Sequence, residues 1–81
     1  MIKRKWFRPT LAMIETLSGI NELLENGENT TITDIANFLG VPYNIVYQRL
    51  QNYLAYELVV VDSDGNFSLT EEGINLLEEL S

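Results

Sequence analysis

The stretch that decides the fold is residues 33–56, TDIANFLGVPYNIVYQRLQNYLAY. Its apolar residues recur at helical spacing on both sides of Gly40, which predicts two short helices joined by a tight turn. The first is predicted over residues 34–39, with Thr33 as the N-cap whose hydroxyl accepts from a free backbone amide. The second is predicted to run to about Tyr56. The centre of the chain is therefore expected to be a helical hairpin.

A β-hairpin is predicted directly after it, in LVVVDSDGNFSLT at residues 58–70. Two β-rich runs, 58–61 and 67–69, flank Asp64-Gly65, a strong hairpin signal because both turn positions tolerate positive φ. Thr70 should then cap a last helix that carries acidic residues in its first turn, where the helix dipole favours anions. In that helix Ile74 and Leu77 are expected to reach the core, while Leu76 and Leu80 lie off that face.

Upstream, residues 1–8 are predicted to form a basic and aromatic arm, and a first helix should follow up to Asn26-Gly27. On a helical step this helix has one broad apolar face, with Gly19 on the opposite side. The apolar face consists of Met13, Ile14, Leu17, Ile20 and Leu24. Residues 30–32, Thr-Thr-Ile, are β-rich and predict a short third strand at the edge of the hairpin sheet.

The helix before Tyr56 has two contrasting faces. Val46, Leu50 and Tyr53 fall close together on a helical step and predict a buried stripe. The opposite face is rich in amides and aromatic rings and contains no carboxylate: Asn44, Tyr47, Gln48, Gln51 and Asn52.

Length and composition indicate a single globular domain over residues 1–81, with 46% hydrophobic residues. Cysteine and histidine are both absent, which excludes disulfides and makes a zinc site very unlikely. No apolar run is long enough to span a bilayer and no secretory leader is recognisable, so a soluble cytoplasmic protein is expected. With no glycine-rich phosphate loop, no nucleophile pair and no carboxylate cluster, we expect no catalytic residue, metal or cofactor.

The charge distribution is uneven. Five basic and twelve acidic residues give a net charge of −7, which by itself disfavours a polyanionic partner. Four of the five cations, however, lie in the arm, and no acidic residue occurs between Ile35 and Tyr56. Two interpretations remain open: a packed helical hairpin with few exposed positions, or a surface kept free of charge repulsion for an anionic partner.

The predicted order, helix–strand–helix–helix–strand–strand–helix, resembles the winged helix–turn–helix family of transcription regulators. The likeness covers about residues 10–80 and is carried by residues 35–41 and 46–50, by Leu58-Val59, and by residues 67–73. It implies a mainly α fold with a small β-hairpin wing (α+β), and a core that includes Ala36, Leu39, Val41, Val46, Leu50 and Tyr53. Winged helices also serve as protein-docking modules, so the fold alone leaves the partner open.

The sequence departs from the family's pattern in three respects. The third helix carries one cation, Arg49, where such helices often carry several. The wing tip holds Asp62 and Asp64 where basic residues would suit a minor groove, and Glu57 stands where a glycine commonly closes the third helix.

The resemblance implies a base-reading surface made of Tyr43, Asn44, Tyr47, Gln48, Gln51 and Asn52. Amides can bond an adenine edge bidentately, and Asn44 and Gln48 are the best placed to do so. The tyrosines could contact phosphates or thymine methyl groups. Arg49 could reach a phosphate or instead pair internally with Asp34 or Glu57. The arm could follow the DNA backbone or enter a minor groove through Lys3, Arg4, Lys5 and Arg8.

One copy has too few cations to neutralise many phosphates. We therefore expect a homodimer, which doubles these contacts on a palindromic site. The apolar residues available for a symmetric contact are Trp6, Phe7, Leu11, Leu76 and Leu80, unless they complete a small monomeric core instead. The expected function is sequence-specific binding of double-stranded DNA by a homodimeric transcription regulator. The alternative is a protein-interaction module, or an acidic nucleic-acid mimic, that does not bind DNA.

Overall fold

Four helices and one β-hairpin make up the part of the chain that the computed structural model describes, residues 10–80 without the side chain of Leu80. The order is α1 (Leu11–Glu25), α2 (Ile32–Leu39), α3 (Tyr43–Ala55), β1 (Val59–Val61), β2 (Phe67–Leu69) and α4 (Glu71–Leu80). The strands pair antiparallel, with Val59 opposite Leu69 and Val61 opposite Phe67. The mainly helical fold with a hairpin wing is confirmed. The predicted arm lies outside the described residues, and no described helix is long and apolar enough to cross a membrane.

Three of the helices end on a residue in the left-handed conformation: Gly27 (φ +73°), Gly40 (φ +69°) and Glu57 (φ +63°). After α3, the Leu58 amide donates to the Tyr53 carbonyl across 2.9 Å, which satisfies one of the free carbonyls of the last turn. The predicted stop at Gly40 is confirmed. At Glu57 the backbone takes the glycine-type conformation although the residue has a side chain.

The start of α2 differs from the prediction. Thr31, not Thr33, is the N-cap: its hydroxyl accepts from the Asp34 amide (3.3 Å), and the Asp34 carboxylate accepts from the Thr31 amide (3.1 Å). This reciprocal capping box draws residue 32 into the helix, so the predicted third strand over residues 30–32 is wrong. Thr30 still hydrogen-bonds to the wing: its carbonyl accepts from the Phe67 amide (3.0 Å) and its hydroxyl donates to the Phe67 carbonyl (2.6 Å).

The buried face of α1 is shifted from the predicted one. Leu23 is buried, whereas Leu24 is 41% exposed. Gly19, placed by the sequence on the outer face, is buried because α2 packs there: a Cβ at Gly19 would lie 3.1 Å from the Leu39 side chain. Since α1 contacts α2, β2 and α4, its buried surface is wider than one apolar stripe.

The buried face of α4 is also different. Leu76 is 3% exposed and belongs to the core, while Ile74 is 41% exposed, so the predicted roles of these two residues are reversed. The cause is Gly73, where an added Cβ would overlap the Leu58 carbonyl oxygen. This close approach turns positions 73 and 76 inward. The predicted cap at Thr70 is confirmed, since its hydroxyl accepts from the Gly73 amide across 3.0 Å.

Candidate nucleic-acid interface

One side of α3 is buried in the core. Val46 and Leu50 are fully buried and Tyr53 is 4% exposed, as the periodicity predicts. The helix follows directly on the turn at Gly40, with Pro42 as its N-cap residue. Because three successive turns of α3 are anchored in the core, the position of its opposite face is set by the fold.

The opposite face of α3 is exposed. It comprises Tyr43, Asn44, Tyr47, Gln48, Gln51 and Asn52. On a helical step of about 100°, Asn44, Gln48 and Gln51 fall within about 60° of one another. None of the four amide side chains hydrogen-bonds to another described residue, so their donors and acceptors are available to a partner. The structure therefore brings the predicted base-reading residues of α3 together on one open surface, which we call the amide face.

Arg49 lies away from the amide face and is half-buried. Its Nη1 donates to the Thr16 hydroxyl across 3.2 Å, and that hydroxyl donates to the Ala12 carbonyl across 2.7 Å. Of the two interpretations of Arg49, the structure gives the internal one, although its partner is Thr16 and not Asp34 or Glu57. Thr16 was not among the predicted site residues. The available signal was a hydroxyl residue within the apolar face of α1.

Tyr53 lies beside this pair. Burial raises the pKa of the Tyr53 phenol above its ordinary value, although the Thr16 hydroxyl and the positive charge of Arg49 both act to lower it. The phenol consequently stays neutral at physiological pH. Arg49, Thr16 and Tyr53 form a polar contact between α1 and α3 on the buried side of α3.

The wing is organised by one carboxylate. The Asp62 Oδ1 atom accepts from the amides of Asp64 and Asn66, both across 2.9 Å, and Gly65 supplies the positive φ (+85°) of the turn. The Asn66 Oδ1 atom in turn accepts from the Thr30 amide across 2.8 Å and ties the turn to the chain before α2.

The wing tip lies near the start of α3. A shallow surface hollow is lined by Thr31, Ile32, Thr33, Tyr43, Asp64 and Gly65. Asp64 therefore borders the same hollow as Tyr43, the first residue of the amide face. A phosphate held by Tyr43 would lie near a negative charge.

Most of the charge in the described range is negative. All twelve acidic residues fall within residues 10–80, whereas Arg49 is the single basic residue of that range. The amide face itself has no charge of either sign. Within residues 10–80 no group of three or more candidate metal-ligating side chains is arranged to hold a metal ion.

Comparison with known proteins supports a fold assignment. No protein-family model matches the chain, and no curated protein is significantly similar to it. Among solved structures, S. aureus MepR bound to ethidium bromide is 28% identical with a TM-score of 0.74, over 95% of this chain and 58% of MepR. The O-methyltransferase NcsB1 from neocarzinostatin biosynthesis, in complex with S-adenosyl-L-homocysteine, is 20% identical with a TM-score of 0.64.

The two likenesses differ in weight. That to NcsB1 covers 94% of this chain but only 25% of the methyltransferase, and at 20% identity it shows the fold alone. MepR is a MarR-family winged-helix regulator, and this chain spans little more than half of its length. Helix order, wing and structural neighbour agree: the chain has the winged helix–turn–helix fold of DNA-binding transcription regulators.

Proposed function

We propose that this protein binds specific sequences in double-stranded DNA as a homodimer and regulates transcription in the cytoplasm. The observation that carries the proposal is the amide face: an open, carboxylate-free strip of uncommitted amides and phenols on a helix anchored by its other side. A helix of this kind fits the major groove, where each base pair presents a distinct pattern of donors and acceptors. Asn44 and Gln48 would read bases, with Gln51 and Asn52 beside them.

Affinity would come largely from outside the described residues. Arg49 is engaged with Thr16 and is the single basic residue of the described range 10–80, so this range offers no other cation to neutralise phosphates. The arm residues Lys3, Arg4, Lys5 and Arg8 would supply that charge, and a dimer would double it. Tyr43 and Tyr47, about half exposed, would add phosphate contacts or meet thymine methyl groups.

The dimer contact is proposed to lie at the N-terminal end of α1. Leu11, which is 70% exposed, is the described residue that suits it best. Trp6, Phe7 and the Leu80 side chain, also predicted to take part, lie outside the described part. Leu76 is excluded from the contact because it is buried in the core of its own chain.

Selection of the full chain against a random duplex pool at low salt tests the proposal. We expect enrichment of a two-fold symmetric sequence. Gln48→Ala should relax the preference at one base pair in each half-site while leaving the circular dichroism spectrum unchanged. Asn75→Ala, on the exposed side of α4, is the matched control and should enrich the wild-type sequence.

Two results would contradict the proposal. Unchanged preference in Gln48→Ala would remove α3 from base reading. Absence of any duplex binding at low salt would favour the alternative, a winged-helix module that docks a basic protein through its acidic wing and last helix, or an acidic nucleic-acid mimic.

A further inference from the structure

We infer that the half-site read by α3 consists of A·T base pairs and that this helix does not recognise guanine. The inference rests on the proposed function and specifies the substrate of the amide face. It depends on the chemistry of that face and on the position of Arg49.

The first observation is the set of hydrogen-bonding groups on the amide face. Asn44, Gln48, Gln51 and Asn52 each present one carbonyl acceptor and one NH₂ donor. Adenine shows the complementary pair in the major groove, the N7 acceptor and the N6 donor. Guanine shows two acceptors, N7 and O6, so a side-chain amide placed for bidentate contact would set its own carbonyl oxygen against one of them.

The second observation is the orientation of the one cation. Guanine is most often read by arginine or lysine, which donate to N7 and O6 together. Arg49 follows Gln48 by one residue and is therefore turned by about 100° around α3, toward α1. There its Nη1 donates to Thr16, whose hydroxyl is held by the Ala12 carbonyl. The residue type suited to guanine is present in α3, but it is bound to Thr16 of α1 and does not lie among the exposed amides.

The aromatic residues agree with this assignment. Tyr43 and Tyr47 are 54% and 47% exposed at the side of the amide face. Apolar ring edges can contact the C5-methyl group of thymine, the base that pairs with adenine. Cytosine, which pairs with guanine, has no such methyl group. Cytosine N4 is typically read by carboxylates, and α3 contains none. Adenine thus finds a bidentate match and thymine an apolar one, whereas a G·C pair offers these side chains only single hydrogen bonds.

The experiment uses the full chain and the half-site obtained by selection. Adenines within the half-site are replaced one at a time by 7-deazaadenine, which lacks the N7 acceptor, and binding is measured by fluorescence anisotropy at constant low salt. At the positions read by Asn44 and Gln48 we expect a loss of about fivefold or more in affinity. The same replacement in flanking adenines should have no effect.

Two variants make the test sharper. Gln48→Arg should change the preferred base from adenine to guanine at the position that Gln48→Ala relaxes. Arg49→Met, once circular dichroism confirms that it folds, should keep the wild-type base preference because Arg49 is bound to Thr16 and is not proposed to contact the bases.

The outcomes separate the inference from the function beneath it. A selected half-site of G·C pairs that is sensitive to 7-deazaguanine, or a change of preference in Arg49→Met, would overturn the A·T assignment and leave DNA binding intact. A failure to bind any duplex would overturn the proposed function and this inference with it.

Discussion

Glu57 shows how a single residue can hold a backbone conformation that it does not favour. A side-chain-bearing residue in the left-handed region costs about 1–2 kcal/mol, and glycine avoids most of this cost while losing more entropy on folding. The conformation persists because Leu58 must turn directly into the core, where it is 1% exposed. The Schellman-type bond from the Leu58 amide to Tyr53 closes α3 and positions the wing.

Replacing Glu57 with glycine is therefore expected to stabilise the protein by about 0.5–1 kcal/mol. For a chain of this size that corresponds to a rise of a few degrees in Tm, measured by thermal denaturation. Glu57→Ala is the matched control, since it deletes the same side chain but keeps the Cβ. An equal gain in both variants would show that the side chain, and not the backbone, causes the strain.

At the scale of elements, Gly73 decides how α4 lies against the rest of the fold. An added Cβ would overlap the Leu58 carbonyl oxygen, which also accepts from the Thr70 amide across 3.0 Å. The backbone of α4 at Gly73 is thus in direct contact with the backbone at Leu58, the residue before β1. Neither can shift without disturbing the cap at Thr70, whose hydroxyl donates to the Glu57 carbonyl (2.6 Å).

We expect Gly73→Ala to destabilise the fold by about 2 kcal/mol or more, although alanine is the better helix former by about 1 kcal/mol. Urea denaturation measures the change. Asn75→Ala, at an exposed position of the same helix, isolates the effect of helix propensity and should be neutral or slightly stabilising. A stable Gly73→Ala variant would mean that α4 is free to move away from Leu58.

The wing combines two aspartates with different roles. Asp62 accepts two amides and builds the turn, whereas the side chain of Asp64 borders the hollow beside Tyr43 without a described hydrogen bond. Under the proposed function, Asp64 repels the phosphate nearest the start of α3. The charge of Asp64, unlike that of Asp62, would therefore limit affinity without building the turn.

Asp64→Asn should raise affinity for the selected duplex by about two- to fivefold at low salt, with a smaller gain as salt screens the charge. Fluorescence anisotropy across a salt series measures this. Glu22→Gln, an exposed substitution of the same charge on α1, is the control and should change affinity less. If the two variants gained equally, the wing would not lie near the duplex.

At the scale of the whole molecule, the opposing charges of domain and arm are the main feature. An acidic domain with one internally bound arginine carries the amide face, and the arm holds the other four cations. Specificity and electrostatic affinity would therefore reside in different parts of the chain. This separation gives a measurable signature in the dependence of binding on salt.

Changing Lys3, Arg4, Lys5 and Arg8 to glutamine should weaken binding to all duplexes alike. The slope of log K against log salt should become shallower by about 0.9 for each cation that contacts a phosphate. Base preference in a repeated selection should not change, because the arm is proposed to contact the backbone. An unchanged slope would contradict the assignment of the arm to DNA.

The proposed dimer is tested through Leu11. Leu11→Glu places a charge on a leucine that is 70% exposed, so the fold should survive while an apolar subunit contact would be lost. Sedimentation velocity should show a monomer, and affinity for the two-fold symmetric duplex should fall by at least tenfold. Leu24→Glu, at the other end of α1 and 41% exposed, should remain dimeric. A monomeric wild-type protein would refute the dimer itself.

The features that the sequence determined by itself are those set by neighbouring residues. The turn at Gly40, the cap at Thr70, the Asp64-Gly65 hairpin and the buried stripe of α3 follow from signals within a few residues, since caps, turns and helical periodicity act over that range. The composition of the amide face follows in the same way. Its residues were predictable because the three buried positions of α3 leave only one face outward.

Only the tertiary structure decided which other faces are buried and where Arg49 is bound. Leu76 replaced Ile74 in the core because α4 meets the Leu58 backbone at Gly73, a contact between residues distant in sequence. Arg49 donates to Thr16 because the tertiary fold brings these residues of α3 and α1 within hydrogen-bond distance. Such contacts depend on how the elements come together, and local periodicity carries no information about partners that lie 15 or 33 residues away along the chain.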